Sequence, residues 1–229
     1  MADQGLAPSD PSPRLWETID NTLLEEIYTA DQAIYPAPLL TFQRLKSWAD
    51  ACPDLCISLH GRDPAPTGPA VQGVIIVLPL GESSWGRLVA GELREHDVEP
   101  AGMFPPPRPV GGHPEQVKVG LHIFHIERYA APPARNGGGR TPGFTQGALE
   151  EVRSRVRERF PSWIVVGYSA LTATPQGNRA FKRAGFTSRY IETKADGDEA
   201  EMLLWRIFRI VVHRVGNSNL RTVFELLSS

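Results

Sequence analysis

Apolar positions along the chain follow two periods. The run Val117–Glu127 (VKVGLHIFHIE) is apolar almost throughout, the mark of a strand covered on both faces. Leu55–His60, Val71–Pro79 and Trp163–Ala170 read as further strands, and Phe186–Thr193 with Glu201–Ile210 as a closing hairpin. Elsewhere helical spacing takes over. Leu23, Leu24, Ile27 and Ala30 form a stripe behind a capping-box pair at Thr22 and Glu25, stopped by Pro36 and Pro38. Thr41–Ala51 carries Phe42, Leu45 and Trp48 on one side. A long helix reaching about Phe160 has the stripe Leu149, Val152, Val156 and Phe160, with Glu151 and Arg155 one turn apart on its wet face. Thr174-Pro175 reads as the N-cap and first residue of a short helix ending at Gly185.

Proline and glycine divide the rest. Residues 1–14 read as a flexible tail, and residues 61–70, with three prolines and two glycines, as a hairpin loop. Gly81–Gly112, with helix expected over Ser84–Glu95, reads as an insertion or roof extending to about residue 116. A loop follows at 129–139. The expectation is one domain over 15–210 and a C-terminal tail over 211–229 with room for one more short helix. The element order predicts an α/β (α+β) fold, a mixed sheet with helices on both faces.

Composition narrows the partners. A hydrophobic fraction of 41 % supplies a sizeable core, and a formal net charge of −2 gives no reason to expect nucleic acid or an anionic membrane. The start Met1–Arg14 lacks an apolar signal region, and the richest apolar stretch, Met202–Val215, is broken by Arg206, Arg209, His213 and Arg214. With only Cys52 and Cys56 as thiols, a reducing compartment is expected, the cytoplasm with the nucleus also open. The apolar stretch Ile207–Val212 offers an interface, so monomer and homodimer both remain open.

The chemistry concentrates after the long strand. The turn Arg140-Thr141-Pro142-Gly143-Phe144-Thr145 leads into a helix, whose free N–H groups and dipole favour a phosphate. Arg140 adds a planar fork of donors, Gly143 lets the backbone approach closely, and Thr145 adds a hydroxyl. Alone, the turn reads equally as a surface loop before a helix cap. A second element, TPQGNRAFKRAGF over Thr174–Phe186, places Asn178 to bond an amide and Phe181 to pack on an aliphatic arm. It also places Lys182 and Arg183 to meet phosphates.

In this order and spacing the two elements resemble the GNAT superfamily of acyl-CoA-dependent N-acyltransferases. The family's phosphate loop is Gln/Arg-x-x-Gly-x-Gly/Ala, which the turn fits except at Thr145. Asn178, Phe181, Gly185 and Phe186 follow the outline of the family's later motif. The likeness covers roughly residues 20–207. It implies a mostly antiparallel central sheet, acetyl-CoA as co-substrate and no metal. It also implies that main-chain groups at Phe124, Ile126 and Arg128 pair with the pantetheine arm. The two strands Val117–Glu127 and Trp163–Ala170 would splay to admit that arm. Arg140, Gly143, Phe144, Thr145 and Gly147 would hold the pyrophosphate, with Asn178, Phe181 and Arg183 beside the donor.

Acyl transfer to an amine needs a base for the ammonium and a proton for the leaving thiolate. His122, His125 and Glu127 lie on the strand before the turn. Strict alternation puts His122 on one face and His125 with Glu127 on the other. A narrower resemblance, to arylalkylamine N-acetyltransferases, rests on Ala51-Cys52-Pro53-Asp54-Leu55 and on Leu121-His122-Ile123-Phe124. It implies His122 as base, although Gly120 stands where that family has a second histidine. Phe181 occupies the place of the superfamily's proton-donating tyrosine, which leaves Tyr168, Ser169 or water for that step. The expected activity is transfer of an acetyl group from acetyl-CoA to a primary amine. That amine is a small molecule, or a protein lysine or N-terminus. The alternative is a catalytically degenerate acyl-CoA-binding or interaction protein of the same fold.

Overall fold

The computed structural model describes residues 15–32, 40–60, 71–106, 116–129, 143–193 and 197–207, together with the backbone of 209–215 and 219–225. Seven strands form one sheet in the order β1-β2-β3-β4-β5-β7-β6. They are β1 Leu15–Thr18, β2 Cys56–His60, β3 Val71–Gly81, β4 Val117–Arg128, β5 Trp163–Thr172, β6 Thr187–Thr193 and β7 Glu199–Arg206. All neighbours are antiparallel except β4 and β5. The predicted mixed, mostly antiparallel sheet is therefore present.

Strand alternation builds two cores. Val74, Ile76, Leu78 and Leu80 of β3 face α1 (Asn21–Asp31), α2 (Phe42–Ala51) and α3 (Glu82–Ala90). Ile75 and Val77 face the layer containing α5 (Phe144–Arg159) and α6 (Pro175–Arg183). A single turn, α4 (Pro100–Met103), lies between α3 and β4. Within each core about 25 cal/mol per Å² of buried apolar surface drives the layers together.

Several local readings change. Asp20, and not Thr22, caps α1, its carboxylate accepting from the Leu23 N–H at 2.8 Å. Residues 15–18 form an edge strand too short to carry a pattern. The stretch read as an insertion holds an integral element, because Trp85 of α3 lies in the first core against the backbone of β4 and β5. Where a short C-terminal helix was expected, β8 (Arg209–Val215) and β9 (Asn219–Glu225) pair antiparallel. Val211 and Val212 facing Val223 and Thr222 suit β-branched strand pairing. Both cysteines are free buried thiols. Among the described residues no helix is long and apolar enough to cross a membrane.

Candidate functional site

The sheet opens where its two parallel strands part. The β4–β5 ladder ends at Ile123↔Ala170, while β4 continues against β3 to Arg128 and β5 continues against β7 to Thr172. A cavity of about 540 Å³ fills the gap, walled by Ile123–Arg128, Ala170–Thr174, the first turn of α6, Phe181, and Ala30 and Asp31 of α1. Phe124, Ile126 and Arg128, expected along a pantetheine arm, all line it.

The helix that follows starts beside the end of β4. Gly143 is the N-cap of α5 and supplies no side-chain acceptor. The Gly147 N–H donates to the Gly143 carbonyl at 3.0 Å, so the amides of Phe144, Thr145 and Gln146 are the first-turn donors without an intrahelical acceptor. Phe144 anchors this end. Its ring stacks on Trp16 with centroids 6.1 Å apart and covers Gly73, where a Cβ would fall 2.5 Å from the ring. Its ring thus belongs to packing. Arg140 lies outside the described residues, as does the loop 130–142 that includes most of the predicted turn.

In α6 the expected caps are present: Thr174 accepts from the Gly177 N–H at 3.1 Å, and Gly185 takes φ +95°, a conformation only glycine adopts cheaply. Phe181 is 3 % exposed, reaches the cavity and packs edge-on against Phe186. The Asn178 amide donates to Glu201 and, at 3.3 Å, to the Thr172 hydroxyl, so it is spent on β5 and β7. Lys182 also meets Glu201, at 2.9 Å, and Arg183 is exposed.

The cavity's titratable cluster is His125 with two carboxylates. Its Nδ1 lies 3.1 Å from Asp31 Oδ2 and its Nε2 3.6 Å from Glu127 Oε2. Burial alone would lower the imidazole pKa, but Asp31 and Glu127 outweigh it and raise the value to about 9. The imidazolium in turn holds Glu127 below the usual carboxylate range. Asp31 escaped the sequence reading. The signal was available, since Leu24, Ile27 and Asp31 are the buried positions of α1 and share one stripe.

A β-bulge overturns the expected alternation. Ile76 pairs with His125 and Val77 with Ile123, leaving Phe124 as an extra residue in β4. The phase of the strand resets there. His122 meets Glu95 and, through Ser169, Trp85 of α3, Phe124 meets Trp48 of α2, and His125 meets Asp31 of α1, all on the same side of the sheet.

His122 is fully buried and does not line the cavity. The Trp85 indole N–H donates to Ser169 Oγ at 2.9 Å, and the Ser169 hydroxyl lies 2.9 Å from His122 Nδ1. His122 Nε2 is 2.5 Å from Glu95 Oε1. Because an indole can only donate, the serine proton is available to Nδ1 and the Nε2 proton then points at Glu95. Tyr168, one residue from Ser169, faces the opposite layer. It packs near Trp205 and lies 5.5 Å from the Arg153 guanidinium, in a second cavity. Burial pushes its hydroxyl pKa up, against the pull of Arg153 and Arg157. Of the three candidate catalytic groups, only Glu127 lies in the cleft between β4 and β5.

No family model and no curated protein matches the chain. Its fold is matched by solved structures. Over 85 % of this chain and 99 % of the other, it superposes on Arabidopsis thaliana NAA60 in complex with acetyl-CoA, at 10 % identity and TM-score 0.50. The complex of that protein with a bisubstrate analogue gives 12 % identity and TM-score 0.51 at the same coverage. A chain of the NatC complex bound to Gag peptide and CoA gives 10 % identity and TM-score 0.50, with 85 % and 98 % of the two chains covered.

Proposed function

We propose, for a chain whose fold is that of the GNAT superfamily, that it transfers an acetyl group from acetyl-CoA to a primary amine. The acceptor is a small amine, or a protein lysine or N-terminus. One observation carries this reading: β4 and β5 part after Ile123 and Ala170 around a cavity, beside an uncapped helix start at Gly143. The β4 edge from Phe124 to Arg128 takes the pantetheine amides. The first-turn amides of α5, with Arg140 and Thr145, take the pyrophosphate, while Gly147, expected there too, has its N–H committed to Gly143. Phe181 packs on the arm, and Arg183, exposed at the end of α6, meets a phosphate. Asn178, through Glu201 and Thr172, shapes the wall.

The amine nitrogen attacks the thioester carbonyl, the C–N bond forms, and the C–S bond breaks as the thiolate leaves. Asp31 and Glu127 attract the ammonium to the cleft, and Glu127 takes its proton directly or through water. His125, charged at neutral pH, returns a proton to the thiolate, the task the tyrosine performs where Phe181 stands. His122 positions β4 through Glu95 and Ser169 without reaching the substrate. Tyr168 supports β5 from the other face.

Calorimetric titration with acetyl-CoA and with free CoA tests the donor site, followed by thiol release over an amine panel. Absence of any heat and of any thermal shift ends the reading. A second reading, binding without turnover, is favoured by Phe181 and by the distance of His122 and Tyr168 from the cleft. It predicts acetyl-CoA binding with no amine-dependent thiol release.

A further inference from the structure

The second cavity is larger than the donor cleft, about 970 Å³ against about 540 Å³, and lies on the α5 side of the sheet. Its floor is aromatic: Trp163, Tyr168 and Trp205 project from β5 and β7, and Phe160 stacks on Trp163 at a centroid distance of 4.0 Å. Its rim is cationic. Arg153 and Arg157 stand one turn apart on α5, and Arg206 comes from the end of β7. None of the three forms an ion pair among the described residues. Arg153 instead sits over the Trp205 ring, 4.2 Å from its centroid. The one acid on the rim, Glu150, accepts from Gln146. Arginines at i and i+4 repel, and Glu150 alone offsets three arginines, so the rim keeps an excess of positive charge that an anion would neutralise.

We propose that this cavity binds a small anion with a flat apolar body, an aryl carboxylate, sulfonate or phosphate. Arg157 and Arg206 take the charged group in bidentate fashion, and the Arg153–Trp205 stack with Trp163 covers the body. The volume lies in the range of small-molecule sites. Charge argues against the chain's own C-terminal stretch as occupant. Residues 208–229 carry Arg209, Arg214 and Arg221 against Glu225 alone, so they repel a cationic rim. This inference stands apart from the acyl-transfer reading, because the cavity shares no lining residue with the cleft between β4 and β5.

The test uses the full chain and the fluorescent aryl sulfonate 8-anilinonaphthalene-1-sulfonate. Saturable one-to-one binding is expected, weakened about tenfold or more in Arg157→Ala and again in Arg206→Ala, since each removes a charge-assisted contact. Both side chains reach solvent, so both variants fold, and their unchanged melting temperatures verify it. Benzoate and phenyl phosphate compete for the site, and acetyl-CoA in excess does not. Equal probe binding by wild type and both variants overturns the proposal. So does displacement of the probe by acetyl-CoA, which would assign the cavity to the donor.

Discussion

His122 and His125 face the same layer of helices, although they stand three positions apart on a strand. The extra residue Phe124 shifts the phase between them, so that one histidine is sealed in the core between Ser169 and Glu95 and the other reaches Asp31 at the cleft. Their expected behaviours therefore differ.

Replacing His122 by alanine removes the imidazole that Glu95 and Ser169 share inside the core. Breaking such a buried pair costs about 3–5 kcal/mol. Chemical denaturation is expected to show that loss. Acetyl-CoA affinity, measured below the melting temperature, is expected to stay within a few-fold of wild type. A variant of normal stability that loses only turnover would instead make His122 the base.

For His125 the sign of the pH effect is fixed by its folded pKa of about 9 against 6.5 for the unfolded side chain. A raised pKa means that the folded state holds the proton more tightly. The contribution is complete below about pH 6.5 and is lost as pH rises through about 9. Denaturation midpoints across that window are expected to fall in wild type and to flatten in His125→Gln. If the acetyl-transfer reading holds, the same substitution lowers kcat about a hundredfold or more, with acetyl-CoA binding retained.

Gly143→Glu tests the donor grip with little structural cost. A Cβ at this position meets nothing within 4 Å, and its φ of −59° suits any residue. If the acetyl-CoA reading holds, the new carboxylate repels the pyrophosphate at the start of α5. The thermal shift given by acetyl-CoA is expected to vanish while the melting temperature without ligand stays unchanged. A retained shift would place the donor elsewhere.

Gly120 and Gly86 form a contrasting pair. A Cβ on Gly120 would fall 1.9 Å from the Trp85 ring, while one on Gly86, inside α3, meets nothing within 4 Å. Gly120→Ala is expected to destabilise by about 1–3 kcal/mol or more, through overpacking. Gly86→Ala is expected to stabilise by about 0.5–1 kcal/mol, since glycine is the poorer helix former. The same contact explains why no histidine can stand at position 120.

Cys52 and Cys56 are expected to resist thiol reagents in the native state. Burial raises the Cys52 pKa to about 12 and pushes Cys56 up as well, so neither presents a thiolate at neutral pH. Labelling by Ellman's reagent should appear only with unfolding, and rapid native-state labelling would contradict the burial.

Much of this protein was legible along the chain because the relevant forces are local. The apolar run of β4, the stripes of α2 and α5, and the Thr174 and Gly185 caps of α6 depend on neighbours a few residues away. Together they were enough to predict the sheet and its two helical layers. What only the tertiary structure decided depends on elements far apart in sequence. A bulge is a mismatch between two strands, so β4 alone could not show that His125 turns toward Asp31. The segment after Gly81 looked like an insertion because the reason for Trp85 lies at Gly120 and Gly167, and its hydrogen-bond partner at Ser169. The cleft is likewise a property of two strands that stop pairing, so its position beside Gly143 became visible only once β4, β5 and α5 were assembled.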